Sequence, residues 1–205
     1  MNNLDKAHQG CSDLAEYSRR YFAYLSHVMA GIDVAQIEEL GRELEEARFA
    51  GSTIFVAGNG GSASTAATMA NDLGVGIDMK AKANPPFRFF ALSDNTSVMT
   101  AIANDIGYPN LFVGQLRIYF RPGDRLLAIS CSGNSPNIIE AAKFVKANGG
   151  RVIGFTAFDG GKLRQFADVR VHVPTEKDEY GPAEDMHLIL NHILAHWFQG
   201  RLQQG

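Results

Sequence analysis

Two apolar runs, Thr53–Ala57 and Leu126–Ile129, each end in a short loop of small residues, and each loop runs directly into a helix-like stretch. The loops are Gly58-Asn59-Gly60-Gly61-Ser62-Ala63-Ser64 and Ser130-Cys131-Ser132-Gly133-Asn134-Ser135. A strand that turns into a helix through Gly and Ser leaves free backbone N–H groups and the positive end of a helix dipole in one place, which is an anion site and most often a phosphate site. The same unit twice also constrains the fold. From residue 52 onward apolar runs alternate with amphipathic stretches. The pattern predicts strands at 53–57, 87–92, 125–130, 151–156 and 168–173, and helices at 62–73, 96–105, 109–119, 135–147, 161–166 (short) and 182–203. Strands that are apolar throughout argue for a parallel sheet covered on both faces, a three-layer α/β sandwich of the flavodoxin-like or Rossmann-like kind. Right-handed crossovers place every strand's C-terminal end on one rim, where ligands bind near a switch point, and both loops lie on that rim.

Before residue 50 the period is helical throughout. Tyr17, Tyr21, Phe22, Leu25 and Val28 recur on one face, Ile37, Leu40, Leu44 and Ala47 on another, and Gly31-Ile32-Asp33 separates them with Asp33 as an N-cap. The expected organisation is an N-terminal helical segment, 1–50, joined to a ligand-binding domain, 51–205, in one structural unit. A chain of 205 residues is long enough for a full core. Its net charge of -3 gives no reason to expect direct nucleic-acid binding. No run of 18 or more apolar residues and no basic-then-apolar leader is visible, so neither a membrane span nor export is expected. Two cysteines, Cys11 and Cys131, make no disulfide framework, which favours a reducing, cytoplasmic setting.

Gly58-x-Gly60-x-x-Ala63 matches a dinucleotide fingerprint, with Asp78 at the distance of a ribose-binding acid. The Gly/Lys/Pro-rich stretch 74–86 makes a poor second strand, however, and the fingerprint leaves the second loop unexplained. The last helix carries Glu184, Asp185, His187, His192 and His196. Asp185 and His192 nearly eclipse on a helical wheel, so either carboxylate is a possible partner for His192. His187 and His196 read as packing residues, His187 being the better candidate to support the site. The charged run Glu176-Lys177-Asp178-Glu179-Tyr180 reads as a solvated turn, the alternative being that it covers the pocket. The helix is apolar almost all round, through Met186, Leu188, Ile189, Leu190, Ile193, Leu194, Trp197 and Phe198, which suggests a homo-oligomer.

The set Gly58-Asn59-Gly60-Gly61-Ser62, Ser93-Asp94-Asn95-Thr96, Asn104-Asp105, Ser130-Cys131-Ser132-Gly133-Asn134-Ser135 and Thr156-Ala157-Phe158-Asp159-Gly160-Gly161 resembles the sugar isomerase (SIS) domain, and most of all the phosphoheptose isomerases. The resemblance covers nearly the whole chain. It implies that Ser130, Ser132 and Ser135, with the backbone of Cys131, Gly133 and Asn134, bind a sugar phosphate. Asn59, Gly60, Gly61 and Ser62 would address the sugar, and Asp94 and Thr96 would line the same pocket. An aldose–ketose isomerase moves a proton between C1 and C2 through an enediol, which needs a base near carbon and an acid or metal near oxygen. The family's Glu base aligns with Asp72, its catalytic His with His192, and two zinc ligands with Thr68 and Glu184. A substrate-holding Arg aligns with Gly76 and an Asp with Gly181. The resemblance therefore implies a phosphosugar isomerase with an altered set: Asp72 or Glu184 as base, His192 as acid, and Zn2+ on Asp72, Glu184 and His192. It also implies a cytoplasmic homotetramer with sites at subunit interfaces, serving bacterial heptose and surface-polysaccharide synthesis. The alternatives are a non-catalytic relative that binds phosphosugar or the replication initiator DnaA, and an isomerase for a different phosphosugar.

Overall fold

The computed structural model describes residues 1–203. Three helices lead: α1 (Asn3–His8), α2 (Leu14–Ala30) and α3 (Val34–Phe49). Asn2, Asp13 and Asp33 cap them by accepting backbone N–H bonds, Asp33 from Ala35 at 2.9 Å. The sheet has five parallel strands: β1 (Thr53–Ala57), β2 (Arg88–Ala91), β3 (Arg125–Ser130), β4 (Arg151–Thr156) and β5 (Val169–His172), in the spatial order β2-β1-β3-β4-β5. β1, β3 and β4 match the expected bounds, and β2 and β5 are one residue shorter at each end.

The crossover helices are α4 (Gly61–Met69), α5 (Ile77–Ala81), α6 (Thr96–Asp105), α7 (Val113–Tyr119), α8 (Pro136–Ala147) and α9 (Tyr180–Gln203). They cover both faces of the sheet. On one face Leu40, Leu44, Met69, Leu73, Ile153, Phe155, Leu190 and Phe198 form a buried core. On the other, Phe55, Leu92, Phe112, Leu116, Ile138 and Val145 form a second. Each such side chain contributes about 1.5–3 kcal/mol through burial, which accounts for the unbroken apolar strands.

The direction of winding reverses between β1 and β3, which pair with Ile54 opposite Arg125 and Ala57 opposite Ala128. The crevice at a reversal is where ligands bind in such sheets. The two Gly/Ser loops leave these two strands, so the topology sets them side by side.

Three expectations are corrected. The helix expected over 62–73 runs further and changes type: α4 gives way to a π-helical turn, Ala70–Gly76, before α5. Gly74 and Gly76 have no side chains to crowd this wider turn; a Cβ on Gly76 would lie 3.2 Å from the Asn71 carbonyl oxygen. Asp78 consequently sits in α5 and not at a strand end, which removes the acid that a dinucleotide site would need. The helix expected over 109–119 is a 3-10 turn, Tyr108–Asn110, followed by α7, and that over 161–166 is a 3-10 turn, Lys162–Gln165.

Candidate active site

The second loop is held open by its neighbours. Gly133 has φ +62°, and a Cβ there would lie 2.1 Å from the Gly160 carbonyl oxygen. Its own carbonyl accepts the Leu163 N–H at 2.9 Å. Asn134 spends its amide on the scaffold: Nδ2 donates to the Ser132 carbonyl at 2.8 Å, and Oδ1 accepts the Lys162 N–H at 3.1 Å. These ties leave the hydroxyls comparatively free. Ser135 is the N-cap of α8 yet makes no capping bond with its side chain, and its Oγ stands 3.5 Å from that of Ser130. Cys131 is buried, and desolvation first, then the Glu184 carboxylate, pushes its thiol up to about 11. It remains a protonated wall of the site.

The first loop is equally constrained. A Cβ on Gly58 would lie 2.4 Å from the Ser62 carbonyl oxygen. Asn59 exchanges amide hydrogen bonds with Asn137 at 2.8 and 3.0 Å and accepts the Tyr108 hydroxyl at 2.8 Å. A Cβ on Gly61 would lie 2.3 Å from Glu184 Oε2, so the missing side chain lets this carboxylate settle over the N-terminus of α4. Burial first, then Asp185, raises the Glu184 carboxyl; the Ser62 backbone N–H opposes the shift. Between the loops lies a cavity of about 110 Å³ lined by Asn59, Ser62, Ser130, Cys131, Ser132, Ser135, Tyr180 and Glu184.

A second constellation lies further along the same two helices. Asp72, in the π-helical turn, faces His192 of α9 with Oδ2 3.9 Å from Nε2. Asn191, fully buried, donates to that same oxygen at 2.7 Å, and Asn71 donates to the other at 2.9 Å. His192 is therefore paired with neither Asp185 nor Glu184. Asp185 accepts the Tyr21 hydroxyl at 2.6 Å. Glu184 is eight residues from His192, about 12 Å along a helix axis.

A family model described as the SIS domain matches residues 16–157. Phosphoheptose isomerases from Rhodospirillum rubrum (38% identical, covering 71% of this chain and 75% of the relative) and Aneurinibacillus thermoaerophilus (33%, covering 83% and 89%) are among its relatives. The chain belongs to the SIS domain family, among the phosphoheptose isomerases. The solved phosphoheptose isomerase of Neisseria gonorrhoeae superposes with TM-score 0.80 at 29% identity, over 92% of this chain and all of that one.

Within this SIS domain not every expected site residue meets the others. Asp94 and Thr96 line a separate groove with Ala67, Asn71 and Gln115, beside α4 and away from the small cavity. The three expected zinc donors do not come together in one chain: Asp72 and His192 face each other, while Glu184 belongs to the loop cavity. Among the described residues no group of three His, Cys, Asp or Glu side chains could hold a metal ion. Thr68 returns its hydroxyl to the Ser64 carbonyl at 3.0 Å. The residues of a single chain thus do not fit the metal. The run 176–180 is not simply solvated either. Glu179 is fully buried, accepting from the Asn3 N–H at 2.6 Å, the Glu176 N–H at 2.9 Å and the Tyr24 hydroxyl. Burial first, then that bond to Glu179, pushes the Tyr24 phenol up to about 12. Tyr108, Asn137 and Asn191 were missed by sequence reasoning. They lie outside the Gly/Ser motifs, and only the fold brings them to the site. No described helix is long and apolar enough to cross a membrane.

His187 is wholly buried against Phe155, ring centroids 5.6 Å apart, and desolvation drives its pKa down to about 4. The folded state holds the ring neutral, whereas the unfolded chain takes up a proton near pH 6.5. Stability present above pH 6.5 is therefore lost as the pH falls toward 4, by an amount on the order of 3 kcal/mol. Thermal unfolding followed across that range should show the decline in the wild type and a smaller one in His187→Leu. Equal declines would show that His187 does not carry it.

Proposed function

We propose that this chain is a phosphosugar aldose–ketose isomerase that converts sedoheptulose 7-phosphate to D-glycero-manno-heptose 7-phosphate, in the cytoplasm, for heptose and surface-polysaccharide synthesis. The observation that carries this reading is the pairing of Asp72 with His192 in a chain whose Ser130–Ser135 loop enters α8 at the switch point without a capping bond from the Ser135 side chain. Ser130, Ser132 and Ser135 hold the phosphate with backbone N–H groups of the same loop. Asn59, Ser62 and Glu184 address the sugar hydroxyls. Asp72 carries the proton between C1 and C2, and His192 moves the proton on the adjacent oxygen.

Distance along the helices adds a requirement. Asp72 follows the N-terminus of α4 by eleven residues, about 16 Å of helix, which separates the pair from the phosphate loop of its own chain. The reading therefore places the loop of one copy opposite the Asp72–His192 pair of another, in a homotetramer. The exposed apolar side chains around the pair, Val75, Met79, Ile193 and Trp197, support such a contact.

Incubation with sedoheptulose 7-phosphate in deuterated water should exchange hydrogen at C1 and C2. Absence of exchange, with or without added zinc, would sink the assignment. Ser132→Ala should weaken phosphosugar binding by about 10- to 100-fold, the worth of a hydrogen bond to a charged group. Calorimetric titration showing unchanged affinity would move the phosphate to another loop.

A further inference from the structure

A second cavity, of about 570 Å³, opens on the other side of Ser132 and is lined by Ser132, Asn134, Phe158, Asp159, Thr175, Glu176 and Lys177. Its volume lies within the range of ordinary small-molecule sites. We propose that this cavity is a second ligand subsite, taking a hydroxyl-rich sugar ring that carries no phosphate.

Thr175 supplies the first argument. It is 5% exposed, and its Oγ1 is buried with no hydrogen-bond partner among the described residues. A hydroxyl left in that state is costly unless something outside the chain uses it. The wall beside it is fixed, because the Glu176 N–H is tied to the buried Glu179 carboxylate at 2.9 Å.

Phe158 supplies the second. It holds φ +57°, a conformation rare for a bulky side chain, and such strain concentrates at ligand sites. Its ring meets Tyr180 edge to face at 5.1 Å. Tyr180 lines the smaller cavity and Phe158 the larger, so with Ser132 this aromatic pair forms the partition between them.

The lining chooses the ligand class. Asp159 and Glu176 outnumber Lys177, which disfavours a second phosphate. An aromatic face with carboxylate, amide, hydroxyl and ammonium groups around it suits the C–H face and hydroxyls of a sugar, neutral or aminated.

The test uses the intact protein with three probes: methyl α-glucopyranoside, glucosamine and inorganic phosphate. Ligand-observed NMR titration should show saturable binding of at least one of the two sugars. Thr175→Val should weaken that binding by about fivefold or more while leaving phosphate binding and the melting temperature undiminished, since the lost hydroxyl has no partner among the described residues. Glu176→Gln should weaken glucosamine more than the methyl glucoside, if the aminated sugar is the one bound. Ser135→Ala should weaken phosphate alone, which separates failure of this subsite from failure of the phosphate assignment. No saturable sugar binding by the wild type, or equal sugar affinity in wild type and Thr175→Val, overturns the proposal.

Discussion

Replacing His192 with Ala lowers kcat by about 10²- to 10⁴-fold, the usual worth of a positioned acid or base, while phosphosugar affinity stays within about twofold. The separation of loop and pair along α4 and α9 is the reason, with the phosphate on the 130–135 loop as proposed. Asp72→Asn should behave alike, because an amide at 72 keeps an oxygen for the Asn191 donor but takes up no proton. Steady-state kinetics and calorimetry on the two variants read both numbers. Matching losses in affinity would place His192 in the phosphate grip instead. A sharper version mixes two crippled proteins. If the site is shared between copies, subunits bearing His192→Ala, reassembled with subunits bearing Ser132→Ala, regain part of the activity that neither has alone. Mixtures no better than their components would show that each chain works with its own loop and its own pair.

Gly133→Ala should cost about 2–4 kcal/mol and lower the melting temperature by about 4–16 °C. The added methyl meets two obstacles at once. The backbone is left-handed at φ +62°, and the space is taken by the Gly160 carbonyl oxygen 2.1 Å away. Gly123→Ala is the matched control. Its φ is +91°, but nothing lies within 4 Å of the new Cβ, so it incurs the conformational strain alone. Calorimetric melting of the two variants should separate them clearly. The Gly133 variant should also lose phosphosugar binding, because relieving the clash pushes the 130–135 loop off the 160–163 turn. Equal melting temperatures for the two would mean that the close approach carries no cost.

Much of the fold was legible because its physics is local. Strands buried on both faces need unbroken apolar runs, and β1, β3 and β4 were readable to the residue for that reason. The π-helical turn was not, since Leu73 and Ile77 satisfy an apolar stripe whether the turn closes over four residues or five. At the site, the two loops announced themselves through composition and position. The Asp72–His192 pair depended on the family resemblance, because nothing within either helix points to the other. Glu179 was misread for a related reason. A buried carboxylate is tolerable only with partners, and two of its partners, Asn3 and Tyr24, lie more than 150 residues away. Asp94 and Thr96 line a groove apart from the loop cavity, and a motif at the end of β2 does not disclose which flank of α4 it will meet.

The π-helical turn at Ala70–Gly76 has a consequence for how this protein could drift. Such a turn is an α-helix with one residue too many. Loss of a single codon within it, ahead of Asp72, would restore an ordinary helix and re-aim the residues inside the turn, while the segments on either side kept nearly their present faces. Asp72 would then swing off His192, although no residue of either loop had changed. At this point in the chain the facing of Asp72 and His192 depends on length, not on identity. A comparison that scores only substitutions would rate such a deletion as mild and miss the lost pairing.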